Sequence, residues 1–209
     1  MKIYYIYNND FLDMKTHFVR SMKDDFEHKP FFMENVKLDI TYPAGGIEFW
    51  KFKTQMIIDA IKENITDNSV IVISDIDIQF FNPVIPIIEK IMAFNDMEFQ
   101  QETELKGLNI GFMTIRCNSI TLLFWETVLY YITSRNLWDK VVVNDLAINN
   151  GYLFPLKFIR FPPQIWNSGH KNMPKNIYLH HANIIGTQQD KFKEMKRVVN
   201  LLIAANTNA

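Results

Sequence analysis

Along the chain, short runs of β-branched and aromatic residues alternate with longer stretches in which apolar residues recur every three or four positions. Ile3 to Tyr7 predicts a buried strand that ends in the polar loop Asn8-Asn9-Asp10. Phe11 to Phe26 predicts a helix with Phe11, Met14, Phe18 and Met22 on one face, and Lys29-Pro30 follows as a breaker. Val36 to Ile40 predicts a second strand and Pro43-Ala44-Gly45-Gly46 a turn. Phe49 to Ile65 predicts a helix burying Phe49, Phe52, Met56, Ile57, Ala60 and Ile61. Val70 to Ile78 then forms one apolar, β-branched strand that carries Asp75 and Asp77 at its C-terminal end, and Asn82-Pro83 stops it.

The second half continues the pattern. A short helix runs to about Phe94, with strands at Glu98 to Gln101 and Asn109 to Arg116. Helices follow at Ser119 to Arg135, burying Ile120, Leu123, Phe124, Val128 and Ile132, and at Val141 to Asn150. Strands at Lys157 to Phe161 and Asn176 to His180 and a closing helix over Gln188 to Ala204 complete the order, with a frayed tail from Asn206. Strand, helix, strand, helix, strand favours an α/β fold with a mostly parallel sheet and helices on both faces. Ligands of such sheets bind beyond the carboxyl ends of the strands, where Asn8 and the aspartate pair both fall.

Composition narrows the function. A chain of 209 residues with 48% hydrophobic content suits one globular domain with a sizeable core. Its 22 basic and 23 acidic residues give a net charge of -1, which offers no bulk attraction to nucleic acid or an anionic membrane. Cys117 is the single cysteine, so an intramolecular disulfide and a cysteine zinc cluster are excluded, which fits a reducing compartment; its plain role is a small core residue. The first residues turn polar too soon for a signal peptide, and no apolar run approaches the roughly 20 residues that span a bilayer. The expectation is a soluble, cytoplasmic protein.

The chemistry concentrates in Ser74-Asp75-Ile76-Asp77. Side chains at i and i+2 of a strand point the same way, so both carboxylates can converge on one hard divalent cation, Mg²⁺ or Mn²⁺, shared with phosphate oxygens of a ligand. Three mechanisms use such a pair. A phosphatase with a nucleophilic strand-end aspartate usually carries Thr or Val where Gln79 stands, and a metal-dependent nuclease lacks a basic stripe here. The third is glycosyl transfer from a nucleotide sugar.

Four ordered segments bear on that choice: Asp75-Ile76-Asp77 followed by Phe80-Phe81-Asn82-Pro83; Asn109-Ile110-Gly111-Phe112-Met113 with Arg116; Asn144-Asp145-Leu146-Ala147-Ile148-Asn149; and His180-His181-Ala182-Asn183 with Gly186 and Lys191. Together they resemble the nucleotide-diphospho-sugar glycosyltransferases of the GT-A, Rossmann-like fold, over roughly residues 70 to 191. The resemblance implies one catalytic domain over 1–209, with a nucleotide-binding half to about residue 83 and an acceptor-side half beyond it. It implies Asn109 and Gly111 near the donor sugar and acceptor, Asp145 facing the reacting sugar, a histidine completing the metal shell and Lys191 approaching the diphosphate. Leu146 departs from the glutamine usual after that aspartate. Of the doubled histidine, His181 fits the His-x-Asn spacing, and alternation turns His180 the other way.

On that resemblance the metal ligands are Asp75, Asp77 and His181, with Asp75 set further out toward the ribose or a metal-bound water. The ion is Mn²⁺ or Mg²⁺ and the donor a nucleoside diphosphate sugar, UDP-sugar favoured. Asn183 and Gly186 accompany Lys191 on the donor. Tyr7 and Asn8 are candidates for the base, against the plain roles of core aromatic and turn residue. Lys53, on the polar side of its helix, either reaches a phosphate or stays solvated. Gln101, Glu102 and Asp145 fall near a carbohydrate or glycoprotein acceptor, with Glu102 or Asp145 able to serve as base. Trp125 reads as core, while Trp166 reads as a loop residue able to stack on an acceptor. The size fits either a small enzyme or the catalytic part of a longer chain. The alternatives are a Mg²⁺-dependent phosphatase and a non-catalytic nucleotide-sugar-binding module.

Overall fold

The computed structural model describes residues 1–34, 45–103, 107–183 and 185–207. Its main sheet has the order β2 (Glu27–Phe32), β1 (Lys2–Tyr7), β3 (Val70–Ser74), β6 (Leu108–Arg116), β5 (Met97–Gln101), β7 (Phe158–Arg160). β1 is parallel to β2 and β3, and β5 is parallel to β7; only β6 runs against its neighbours β3 and β5. The sheet is therefore mostly parallel, as the order of elements predicts.

Strand alternation builds a core on each face. Ile71 and Ile73 join the cluster under α2 (Ile47–Asn64), α4 (Ser119–Arg135) and α5 (Asp139–Asn144), while Val72, Ile3 and Tyr5 join the one under α1 (Leu12–Ser21), α3 (Ile85–Met92) and α6 (Gln188–Thr207). α4 begins where Asn118 forms a capping box: its side chain accepts from the N–H groups of Ile120 and Thr121, and the Thr121 hydroxyl returns a bond to the Asn118 N–H. Asn136 closes it in the left-handed conformation, so the predicted bounds hold. Leu123, expected inside, is exposed.

Several expectations change. Lys29-Pro30 lies inside β2 rather than breaking the chain; β2 is the outermost strand, where a missing N–H leaves no ladder bond unmade. The first helix stops at Ser21, ahead of Phe26. The predicted helix over 141–150 is α5 followed by a π-helical turn, Asp145–Asn149. The strand expected through Ile78 ends at Ser74, and the chain bends into a second, three-stranded sheet of order β4 (Ile78–Phe80), β9 (Leu179–His181), β8 (Ile165–Asn167). β8 falls in a segment read from sequence as a loop. The strand predicted at 36–40, the first half of the turn at 43–46 and Lys106 lie outside the described residues. Among the described residues no helix is long and apolar enough to cross a membrane.

Candidate active site

Asp75 and Asp77 sit in the bend between the two sheets, so it is this bend, and not strand alternation, that aims them. The Asp75 N–H donates to the Gly111 carbonyl at 2.6 Å and the Ala182 N–H to the Asp77 carbonyl at 2.9 Å, which pins one end of the bend to β6 and the other to β9. Ile76 between them is buried in the core under α1 and α3. β4 pairs with β9 so that Ile78 lies opposite His181, and this brings a residue more than a hundred positions downstream to the aspartates.

Ligand atoms of Asp75, Asp77 and His181 all lie within 4.8 Å of one another. His181 Nε2 is 3.2 Å from Asp77 Oδ1 and 3.9 Å from Asp75 Oδ2, and it is buried without a hydrogen bond. Buried polar atoms are almost always satisfied, so a bare imidazole nitrogen facing two carboxylate oxygens is the arrangement a divalent ion completes. The donor set, one nitrogen and two carboxylates, suits Mn²⁺ or Mg²⁺ that keeps further positions for phosphate oxygens.

A lysine holds the second oxygen of each carboxylate. Lys53 Nζ donates to Asp75 Oδ1 at 2.6 Å, and Lys191 Nζ donates to Asp77 Oδ2 and, at 3.0 Å, to the Ala182 carbonyl. Burial works against ionisation of Asp77, but His181 and Lys191 overcome it and hold the carboxyl well below the usual carboxylate range. Lys53 is only 5% exposed, so its expected place on the polar side of α2 is corrected: it shares the buried face with Trp50, Ile57 and Ile61. Burial alone would lower its pKa; Asp75 and Asp139 raise it above the ordinary value, so the ammonium stays charged. Asp139, itself buried, has its carboxyl pushed up to about 6 by desolvation against the opposing charge of Lys53.

Gly111 lies against the triad. A Cβ there would come within 2.2 Å of His181 Cε1 and 2.7 Å of Asp75 Oδ2, so only glycine fits. Its N–H donates to Asn109 Oδ1 at 2.8 Å, Asn109 Nδ2 donates to Glu102 Oε2 at 2.6 Å, and Lys140 Nζ donates to Glu102 Oε1 at 2.6 Å. This chain of bonds leads from the triad to a hollow of about 460 Å³ bordered by Glu102, Leu108, Tyr131, Lys140, Asn144 and Asp145.

No protein-family model and no curated protein matches the sequence. Solved structures do match in shape. The structure is similar to a glycosyltransferase involved in the glycosylation of the major capsid of PBCV-1, with a TM-score of 0.65 and 11% identity over 94% of this chain and 100% of that one. It is similar to mouse xyloside xylosyltransferase 1, at TM-score 0.58 and 10% identity over 89% and 98% of the two chains. It is also similar to the galactosyltransferase LgtC, solved with donor and acceptor sugar analogues, at TM-score 0.55 and 12% identity over 98% and 96%. The fold is that of the GT-A glycosyltransferases.

Within this GT-A fold the remaining predicted residues divide. His180 and His181 point to opposite sides of β9, as alternation requires, and only His181 reaches the aspartates. Asn8 closes β1, and its Oδ1 and that of Asn183 are buried without a hydrogen bond. The Tyr7 ring lies against Phe32 and under the Lys15 ammonium. Around Gly186 there is open space. Asp145 is exposed on the rim of the hollow, its carboxylate accepting from Asn149 and Asn150 at 3.1 Å each. Gln101 bonds the Thr103 carbonyl. Trp166, expected as an exposed acceptor platform, is instead buried in β8 and stacked on His180 with ring centroids 4.9 Å apart, because its strand packs against β9. Trp125 is core, as expected, and so is Cys117, whose thiol burial pushes up to about 12.

Sequence reasoning missed Gln100, Asn144, Asp139 and Lys140. Asn144 clamps α5 to the start of β6: its Oδ1 accepts from the Leu108 N–H at 2.7 Å and its Nδ2 donates to the Leu108 carbonyl at 2.9 Å. For Gln100 a weak signal existed, since Glu98 and Gln100 alternate with Met97 and Phe99 along β5.

Proposed function

We propose that this chain is a metal-dependent glycosyltransferase that moves a sugar from a nucleoside diphosphate sugar, with UDP-sugar favoured, to a hydroxyl of a glycan or glycoprotein. The observation that carries the reading is the unbonded Nε2 of His181 set against the free oxygens of Asp75 and Asp77 beside a glycine that nothing larger can replace. The fold supports it by putting this group beyond the carboxyl ends of the parallel strands.

On this reading Asp75, Asp77 and His181 hold Mn²⁺ or Mg²⁺, which when bound offsets negative charge building on the leaving diphosphate. Lys191 is placed to add a second positive charge there, and Lys53 keeps Asp75 aimed while lying close enough to meet an oxygen of the donor. Tyr7 and Asn8 receive the base at the end of β1. Asn183 and Gly186 border the diphosphate, and Asn109 and Gly111 border the sugar. The acceptor enters the hollow, where Glu102, held by Lys140 and Asn109, faces its hydroxyl, with Asp145 on the rim. Residues to about 83 thus serve the nucleotide and the later half the acceptor. The lone, inert cysteine suits work in a reducing cytoplasm. A strand-end phosphatase fits less well, because the position two residues after Asp77 is Gln79, which is committed to bonds with His180 and the Met195 carbonyl.

The test is thermal stability with UDP, GDP or CMP, each with and without Mn²⁺. A ligand that binds only the folded state raises stability by mass action. A UDP shift that requires Mn²⁺ and vanishes in Asp77→Asn is the expected result. An equal response to free phosphate would favour the phosphatase, and binding without transfer or donor hydrolysis would favour a binding module.

A further inference from the structure

We infer that Gln100 is a positioning residue that holds a His181 proton on Nδ1, so that Nε2 is the nitrogen presented to an ion between Asp75 and Asp77. The inference rests on the metal-dependent reading of the site and adds the group that prepares it. Both side chains are inside: Gln100 is 0% exposed and His181 1%. His181 Nδ1 lies 2.8 Å from Gln100 Oε1, and Gln100 Nε2 donates to the Ile165 carbonyl at 3.2 Å.

The two bonds determine each other. Turning the Gln100 amide over would set its carbonyl oxygen against that of Ile165, two acceptors face to face in a dry interior. The NH₂ group is thereby held on Ile165, so Oε1 faces the imidazole as an acceptor and Nδ1 must supply the proton. With one proton on the ring, Nε2 carries the lone pair. An imidazole that gives its distal N–H to a fixed acceptor is also a better ligand, because the ring is held in orientation and its other nitrogen becomes more basic.

The fold contains the device that aims Gln100. Phe99 of β5 pairs with Met113 of β6, but Gln100 pairs with Asn109, so the register slips between Phe99 and Gln100. The slipped segment of β6 contains Gly111, whose carbonyl receives the Asp75 N–H. Such irregularities re-aim side chains next to functional sites. Here one irregularity turns Gln100 toward β8 and β9 and leaves the glycine against the triad. β8 has a matching task, since Ile165 both pairs with Leu179 of β9 and offers the carbonyl that orients the amide.

The test combines a spectrum with a binding constant. In long-range ¹H–¹⁵N correlation of ¹⁵N-histidine-labelled protein without metal, with the His181 signals assigned by their loss in His181→Ala, the wild-type ring is expected to show a protonated Nδ1. In Gln100→Leu the ring is expected to leave that state, and Mn²⁺ binding, read from manganese paramagnetic resonance, to weaken about 10- to 100-fold. Gln100→Glu, whose buried carboxyl can stay protonated to donate to the Ile165 carbonyl while its other oxygen accepts from Nδ1, should retain the Nδ1–H tautomer and bind Mn²⁺ within a few-fold of wild type. A wild-type ring with no proton on Nδ1, or a Gln100→Leu protein with unchanged Nδ1 protonation and Mn²⁺ affinity, overturns the assignment. If wild type shows the Nδ1–H tautomer yet binds no Mn²⁺, the metal reading fails while the role of Gln100 in fixing the ring stands.

Discussion

His180 and His181 are neighbours on one strand and occupy opposite kinds of environment. His180 is saturated: its Nδ1 meets Gln79 Nε2 at 3.1 Å, its Nε2 meets the Ser168 hydroxyl at 2.9 Å, and its ring lies flat on Trp166. Burial lowers its pKa to about 3, so it is a neutral structural group. His181 has one nitrogen satisfied and the other bare, facing two acids whose remaining oxygens are held by lysines. Both rings are buried, so depth of burial does not set them apart; the number of satisfied ring nitrogens does, and on the proposed reading the bare one is the metal ligand.

Exchanging the two effects is the strongest way to break the comparison. His181→Ala is expected to fold and to lose the Mn²⁺-dependent UDP shift completely. His180→Ala is expected to keep that shift but to lose about 3 kcal/mol of stability in denaturant unfolding, from the cavity and the stranded partners. The reverse pattern would overturn both assignments. Gly111→Ala comes next. The added methyl meets His181 and Asp75, so overpacking should cost about 1 to 3 kcal/mol together with most of the Mn²⁺ affinity, whereas Gly151→Ala, where a Cβ meets nothing within 4 Å, should leave metal binding alone.

The last effect is absent at neutral pH and emerges only on acidification. With the folded pKa of His180 near 3 and a reference value of 6.5, the unfolded chain takes up this proton first as pH falls. The stability that neutral His180 secures is complete above about pH 6.5 and declines toward pH 3, with a slope of at most about 1.4 kcal/mol per pH unit. Replacing His180 with Gln should flatten the wild-type curve in that window. An unchanged slope would mean that His180 does not stay neutral in the folded state.

Much of the architecture was legible because periodicity reports burial. α4 was read to the residue, Ser119 to Arg135, from its apolar period, and most of the sheet strands from their apolar runs. β2 was lost because Pro30 signals a break unless one knows the strand is at an edge, and β8 because three residues carry too little pattern. In the site, Asp75, Asp77 and His181 were nameable from residue type and order, but the reason they meet was not. A straight strand was expected where the chain bends between two sheets. Lys53 was read outward because charged residues usually face water; the acids that draw it inward, Asp75 and Asp139, come from elements far along the chain. The alternation in β5 could flag Gln100 as polar inside the sheet, but not its role, since its partners belong to β8 and β9.

The paired lysines carry a consequence for handling the protein. Two ammonium groups already neutralise the acidic doublet, so the polypeptide needs no ion to relieve repulsion in its interior, unlike small metallodomains whose assembly is driven by the ion. A chelator should therefore strip the cation and silence the catalyst while leaving the fold intact.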